Sequence, residues 1–363
     1  MNKKKRLLIV FWNMGLGGIQ KRIRDIVKDI SKNHSEWEVY LLLRRKASGD
    51  FDMQVSNIKR VYVTHYSSSV FKVPYGFVLW IYWMFLKIKP NAFLTFQATL
   101  SAVAVICKRM FFWTHTRLVL NEGAVTSAAL KWENKQHYAI LIKLFYNFAD
   151  LIIVPTKVCK KDLIDDFSIK SKKIVVIPNW TLFPSIKNTP DKFDVLYVGR
   201  FDPEKNPLFM IHLVKKINRQ LPFIRAGMVG YGSLQDELFK KIKSEALSKQ
   251  IILMPFQPEV QSIIKRTKIL VVPSYNEGMP NVLLEAAMCQ IPSVINNFSG
   301  ATEIVDQGKT GYIYKNIDEA ANYVIRLLKD DNIRKTMGKF ACSNATKHFS
   351  YKTQERFVKK ILA

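Results

Sequence analysis

Short apolar runs alternate along this chain with longer stretches in which apolar residues recur at every third or fourth position. In the first half the runs fall at 7–12, 39–43, 59–63, 92–96, 117–120 and 151–154, with a last short one at 174–177. Helical periodicity fills most of the intervals, notably 19–31, 78–87, 100–109 and 136–148. Apolar runs separated by helical patterns predict βαβ units and parallel sheets. The rhythm breaks at Pro178-Asn179-Trp180 and again at Pro184, Asn188, Thr189 and Pro190, which predicts a linker. A second series follows, with strands at 195–198, 224–229, 251–254, 269–272 and 293–295. Its helices are expected at 207–219, 234–247 and 260–266, then one opened by Pro280 and polar ones from Asp318 on. The fold class is therefore α/β, with domains over 1–178 and 179–350 and a terminal helix over 351–363.

A length of 363 residues suits two domains of ordinary size, and 48% apolar residues argue against disorder. The cysteines Cys107, Cys159, Cys289 and Cys342 are scattered without paired spacing, which speaks against a zinc site or a disulfide framework. Lys3, Lys4, Lys5 and Arg6 precede an apolar run, as in a signal peptide. That run is too short and leads into glycines, so the first strand of an α/β domain explains it better. The most apolar stretch, 73–86, falls short of the roughly 20 residues that span a bilayer, and no transmembrane helix is expected. Charge changes the picture more. The net charge is +27, of which +17 lies before residue 181 and +10 after it. A basic face of this kind attracts nucleic acid or anionic lipid.

The most informative chemistry lies in Tyr275-Asn276-Glu277-Gly278-Met279-Pro280-Asn281-Val282-Leu283-Leu284-Glu285-Ala286. Proline suits a first helical turn, and the amides of Asn281, Val282 and Leu283 would then form an anion seat. A carboxylate on each side of that seat, Glu277 and Glu285, suits a ligand that is anionic in the middle and rich in hydroxyls at both ends. In parallel sheets ligands bind at the carboxyl ends of the strands. Gly199-Arg200-Phe201-Asp202-Pro203-Glu204-Lys205 follows the strand at 195–198, so Arg200 and Lys205 are placed to clamp a diphosphate. Ser299-Gly300 follows the strand at 293–295, and Gly15, Gly17 and Gly18 follow the first strand. The last cluster fails the dinucleotide pattern, because Gln20 occupies its third glycine position.

Glu277 and Glu285 in this setting, with the 198–206 segment and the Gly15–Gln20 loop, resemble the retaining glycosyltransferases of family 4. The resemblance implies the GT-B fold, two Rossmann-like domains facing each other across a cleft: 1–178, joined by helix 351–363, for the acceptor, and 179–350 for a nucleotide sugar. It assigns Arg200 and Lys205 to the donor diphosphate, Glu277 to the transferred sugar and Glu285 to the ribose. Gly17, Gly18, Gly278, Met279, Pro280, Asn281, Val282, Ser299 and Gly300 complete the implied donor site. The donor is expected to be UDP-linked, with no cofactor, no metal and front-face retention. Two departures stand out. Relatives often carry a histidine after the fifth strand; here Glu122 follows, either as a hydrogen-bonding or basic group or as a helix cap. Gln290 stands where a glycine is usual, and reads as a neutral change.

Aromatic residues Trp80, Tyr82, Trp83, Phe85, Phe111, Phe112 and Trp113 lie near Lys72, Lys87, Lys89, Lys108 and Arg109. Aromatics beside cations suit a layer of headgroups and acyl chains, whereas helix-on-sheet core is favoured for 78–86, which leaves 111–113 as the better membrane candidate. The resulting expectation is a transferase acting on a lipid-linked or membrane-associated glycan in bacterial polysaccharide synthesis, in the cytoplasm and peripheral on an anionic inner membrane face. Its oligomeric state is left open. The rivals are a GT-B epimerase or synthase with a soluble acceptor, and a basic nucleic-acid-binding protein. The latter lacks any interleaved basic and aromatic motif, so no nucleic acid partner is expected.

Overall fold

A computed structural model describes residues 4–15, 17–44, 58–63, 75–181, 192–257 and 260–363. Lys72 and most of the expected linker, including Pro184, Asn188, Thr189 and Pro190, lie outside the described residues. The chain divides into two compact units, Met1–Ile177 with Gln354–Ala363, and Pro178–Thr353.

The first unit carries seven strands: β1 (Lys5–Phe11), β2 (Trp37–Leu43), β3 (Ile58–Val63), β4 (Ala92–Phe96), β5 (Arg117–Asn121), β6 (Leu151–Val154) and β7 (Ile174–Val176). They form one parallel sheet in the order β3-β2-β1-β4-β5-β6-β7. Leu7, Leu8, Ile9, Leu94 and Val119 are wholly buried, as expected of strands covered on both faces. Between the strands run α1 (Gly18–Asn33), α2 (Tyr75–Ile88), α3 (Ala98–Met110), α4 (Thr126–Trp132), α5 (Tyr138–Phe145) and α6 (Lys157–Asp165).

The second unit repeats the plan with β8 (Phe193–Val198), β9 (Ala226–Val229), β10 (Ile251–Met254), β11 (Thr267–Val272), β12 (Ser293–Asn296) and β13 (Gly311–Tyr314). The order is β10-β9-β8-β11-β12-β13, again with parallel pairings. Its helices are α7 (Phe209–Ile217), α8 (Gln235–Ser244), α9 (Gln261–Ile264), α10 (Asn281–Met288), α11 (Ile317–Lys329) and α12 (Asp331–His348), and the chain closes with α13 (Tyr351–Leu362). Alternate residues of each strand feed separate cores. Val195, Tyr197, Ile269 and Val271 pack with α7, α8 and α11. Leu196, Leu270 and Val272 pack with Leu283, Leu284 and Met288 of α10. The order in which strands are added reverses between β1 and β4 in one sheet and between β8 and β11 in the other; such reversals open the ligand crevices of parallel sheets.

Three differences from the sequence expectation have local causes. The run at 136–148 divides into α5 and a separate 3₁₀ turn, Tyr146–Phe148. Strand β13 was not expected because Gly311-Tyr-Ile-Tyr is short and flanked by Lys309 and Lys315. Gln290 is not neutral: its φ is 59°, the left-handed conformation that glycine adopts at helix ends at little cost. Its N–H reaches Ala287 O at 2.9 Å, and Ile291 N–H returns to Ala286 O at 2.9 Å. Helix α12 crosses this turn so closely that a Cβ at Gly338 would sit 1.9 Å from Gln290 O.

Relief of the left-handed strain, less the chain entropy that glycine adds to the unfolded state, should make Gln290→Gly more stable by about 0.5–1 kcal/mol. Gly338→Ala should instead cost about 1–3 kcal/mol through overpacking. Urea unfolding of both variants checks this; a Gln290→Gly protein no more stable than wild type would contradict the strain.

Candidate active site

Strand β8 ends at the β8/β11 reversal, and the loop after it is held from three sides. Tyr197, 2% exposed, donates from its hydroxyl to Arg200 O at 2.6 Å. Phe201 N–H donates to Tyr231 O at 2.7 Å, and the Ser233 N–H and hydroxyl both reach Asp202 Oδ1 at 3.0 Å. A Cβ at Gly230 would lie 1.9 Å from Gly199 O, so the exits of β8 and β9 touch backbone to backbone. The 3₁₀ turn Pro203–Lys205 and a left-handed Asn206, φ 48°, then carry Lys205 toward the exit of β11.

There Lys205 Nζ meets Glu277 Oε1 at 2.8 Å, with side-chain exposures of 17% and 16%. Lys205 also donates to Asn276 O at 3.4 Å. Tyr275 N–H donates to Glu204 O at 3.0 Å, and Asn276 Nδ2 donates to Glu204 Oε1 at 3.3 Å. The β8 and β11 loops are thus laced together, and their central charges form a half-buried ion pair. Arg200 differs: its side chain is 51% exposed and is engaged by Asp202 and by Glu204 Oε2 at 3.3 Å. An anion at this place would compete with three carboxylates for two cations, so it must carry more than one negative charge to win them.

Helix α10 begins at Asn281, with Pro280 (φ −66°, ψ 123°) as its N-cap residue rather than inside the first turn. The expected seat of three amides is corrected at one position: Leu283 N–H turns back onto Pro280 O at 3.1 Å. Asn179, expected only as linker, is the strap of this turn. Its Nδ2 donates to Met279 O at 2.7 Å and to Asn281 Oδ1 at 2.9 Å, tying Met279, Pro280 and Asn281 down. The sequence signal for it is slight, an Asn two residues past the strand run at 174–177. Glu285, in the second turn of α10, is buried at 5% exposure; Gly278 and Val282 flank the same turn and helix start. Gly300, φ 89°, opens the 3₁₀ turn Ala301–Glu303, with Ser299 exposed beside it. Asn296 Nδ2 donates to Ser274 O at 3.1 Å, joining the β12 exit to the β11 exit.

Gly17, Gly18 and Glu122 belong to the first unit, the other candidates to the second. Gly17 is the N-cap residue of α1 and Gly18 its first residue, directly past the β1 exit. At the reversal in this sheet Trp12 Nε1 donates to Gln97 Oε1 at 2.9 Å, and Gln97 is held at φ 72°. Sequence reasoning passed over Gln97, although it directly follows the run at 92–96. Glu122 is 4% exposed and accepts from the Ser101 and Tyr146 hydroxyls, both at 2.8 Å. It does not cap a helix. Asp162 does that for α4, accepting from Thr126 N–H at 2.9 Å and Ser127 N–H at 3.2 Å. Burial pushes the Glu122 carboxyl up to about 7, against the pull of its two hydroxyl donors.

Among the described residues no group of three His, Cys, Asp or Glu could hold a metal ion. Residues 16–181 match the model of Glycosyltransferase Family 4, and residues 179–343 that of the glycosyl transferases group 1. The chain belongs to the family 4 glycosyltransferases. The chain is similar to the N-acetylgalactosamine-N,N'-diacetylbacillosaminyl-diphospho-undecaprenol 4-alpha-N-acetylgalactosaminyltransferase of Campylobacter jejuni, with 30% identity over 62% of this chain and 64% of the relative. The UDP-Gal:alpha-D-GlcNAc-diphosphoundecaprenol alpha-1,3-galactosyltransferase of Escherichia coli is 29% identical over 50% of this chain and 51% of its own. The matched part of this chain thus spans between half and two thirds of these relatives. Anabaena HepE, solved with UDP and glucose, shares the fold at a TM-score of 0.81, with 18% identity and 99% of both chains covered. The family 4 chain therefore has the GT-B fold.

The Glu122 carboxyl sets a pH dependence with a definite sign. The folded protein keeps a proton on it that the unfolded chain releases above 4.5, so its contribution to stability is full below that pH and fades as pH rises to about 7. The loss is on the order of 3 kcal/mol. Glu122→Gln should remove this slope, so the gap between variant and wild type in urea midpoint should shift in the variant's favour from about pH 5 to about pH 8. A gap that does not move with pH would show that Glu122 does not titrate there.

Proposed function

We propose that this chain is a retaining, metal-independent glycosyltransferase. It moves a sugar from a UDP-linked donor to a lipid-diphosphate-linked glycan, at the inner membrane face, in bacterial surface polysaccharide assembly. The observation that carries the reading is the Lys205–Glu277 pair at the β8/β11 reversal, the place where a parallel sheet receives its ligand. The names of the two undecaprenol-linked relatives support the acceptor class, and HepE supports UDP as the carrier.

The chemistry follows from what the side chains offer. When the anomeric carbon–oxygen bond breaks, negative charge gathers on the leaving diphosphate. Lys205 and Arg200 supply the compensating charge, and the start of α10 adds its N-terminal dipole. The acceptor hydroxyl attacks from the face that the diphosphate leaves, and its proton passes to the departing phosphate oxygen. Glu277, released from Lys205 as the diphosphate arrives, is then available to hold hydroxyls of the transferred sugar. Glu285 serves the ribose, while Gly278, Met279, Val282, Ser299 and Gly300 line the donor. Glu122, buried beneath the β5 exit, supports that edge of the acceptor unit.

A thermal-shift screen against nucleotide sugars identifies the donor, since a ligand at 100 times its dissociation constant adds about 2.7 kcal/mol. Lys205→Ala should then lower kcat by roughly a hundredfold with the fold intact. Glu277→Gln should mainly lower kcat, and Glu285→Ala mainly raise KM for the donor. Product NMR should show the donor's anomeric configuration, and chelator should leave turnover unchanged. Near-normal turnover of folded Lys205→Ala, an inverted product, or loss of activity that added metal restores would each overturn part of this reading.

A further inference from the structure

Helix α2 is apolar on two sides. Phe77, Ile81, Met84, Phe85 and Ile88 are buried against the sheet. Leu79, Trp83 and Leu86, spaced to share one stripe on the far side, are 66%, 55% and 42% exposed. The expectation that this helix is plain core is thus half of the account. Helix α5 shows the same habit: only Ile142 is buried, while Ile140 and Leu144 are 64% and 60% exposed.

These faces are neighbours. Right-handed crossovers place α2, α3 and α5 on the same side of the sheet. Phe111, at the end of α3, stacks on Phe85 of α2 at 5.6 Å and meets Trp113 edge to face at 5.6 Å. Phe112 and Trp113 beside it are 74% and 60% exposed. Arg109 lies over Phe148, just past α5, at 4.6 Å, and Lys87 lies over Trp83 at 4.7 Å.

Charge selects the occupant. Residues 75–150 hold eight Lys or Arg against three acidic residues, and none of the three is an unpaired surface charge: Glu122 is buried, Glu133 is paired with Lys135 and Asp150 with Lys108. A second copy of this chain would bring like charges together across a two-fold contact. A bilayer with anionic headgroups accepts both the aromatic rings and the cations around them.

We propose that the outward stripe of α2, the 110–113 segment and the outward stripe of α5 form one docking face that seats this chain on an anionic lipid bilayer. Its purpose rests on the lipid-linked acceptor proposed above; its test does not, because vesicle binding is read without donor or acceptor.

The full chain should sediment with vesicles of phosphatidylcholine and phosphatidylglycerol, not with phosphatidylcholine alone, and be released as salt rises past physiological strength. Trp83→Ser with Leu144→Ser, on the outward stripes of α2 and α5, should weaken binding by about tenfold or more. Trp113→Ser should weaken it further, with nucleotide-sugar binding and the thermal midpoint of each variant unchanged. Transfer to a short-chain, water-soluble acceptor should also survive in these variants. Failure of that transfer in wild type would indict the functional reading and not the docking face. The docking face is overturned if wild-type protein ignores anionic vesicles at low salt, or if the double variant binds like wild type. It is also overturned if ultracentrifugation shows a dimer that these substitutions dissolve.

Discussion

The organisation of the second unit depends on the reversal of strand order between β8 and β11. A parallel sheet that grows first one way and then the other leaves the exits of its two central strands side by side, with no crossover helix filling the gap. The chain meets that gap with opposite charges. Lys205 and Glu277 come from loops 72 positions apart and meet at 2.8 Å, so each half satisfies the other until a ligand replaces one partner. A half-buried pair of this kind adds little stability, because desolvation offsets most of its attraction. Under the proposed function its value lies in readiness, with the cation already positioned and partly dehydrated for a polyanion.

The surrounding contacts explain why this arrangement holds still. Tyr197, Asn179 and Asn296 all use buried or half-buried polar groups to fix main-chain atoms of the site loops, at Arg200, Met279 and Ser274 respectively. Glycine does the complementary work where backbones touch, as at Gly230 against Gly199. The site loops are thus tied at the main chain, while Arg200, 51% exposed, is engaged only by carboxylates of its own loop.

The central strands of both sheets were readable from sequence because burial on both faces leaves unbroken apolar runs, as at Leu7–Phe11 and Ile269–Val272. Strand β13 lacks that signature because its run, Gly311-Tyr-Ile-Tyr, is short and set between Lys309 and Lys315. The charged ends of the site were readable for a related reason: Lys205 and Glu277 each follow a strand, and strand exits are where parallel sheets place chemistry. What escaped is what depends on long-range neighbours or on dihedral angles. Asn179 shows its purpose only through Met279 and Asn281, about 100 positions away. The strain at Gln290 is a φ value, invisible in residue identity. For Glu122 the choice between cap and buried group turned on Asp162, which reaches α4 first.

The same logic explains why one helix reads as core. A periodic apolar pattern reports that a face is removed from water, without saying by what. In α2 one face is covered by the sheet, and the opposite stripe carries an exposed Trp83 with Lys87 lying over its ring, which sets apolar surface beside positive charge. Helix α5 and the Phe112–Trp113 pair likewise leave apolar groups exposed on the same side of the sheet. Three elements that each leave aromatic or aliphatic groups exposed, with no acidic residue free among them, are what the docking proposal rests on, and under it the first unit is both a folded core and a seat on a bilayer.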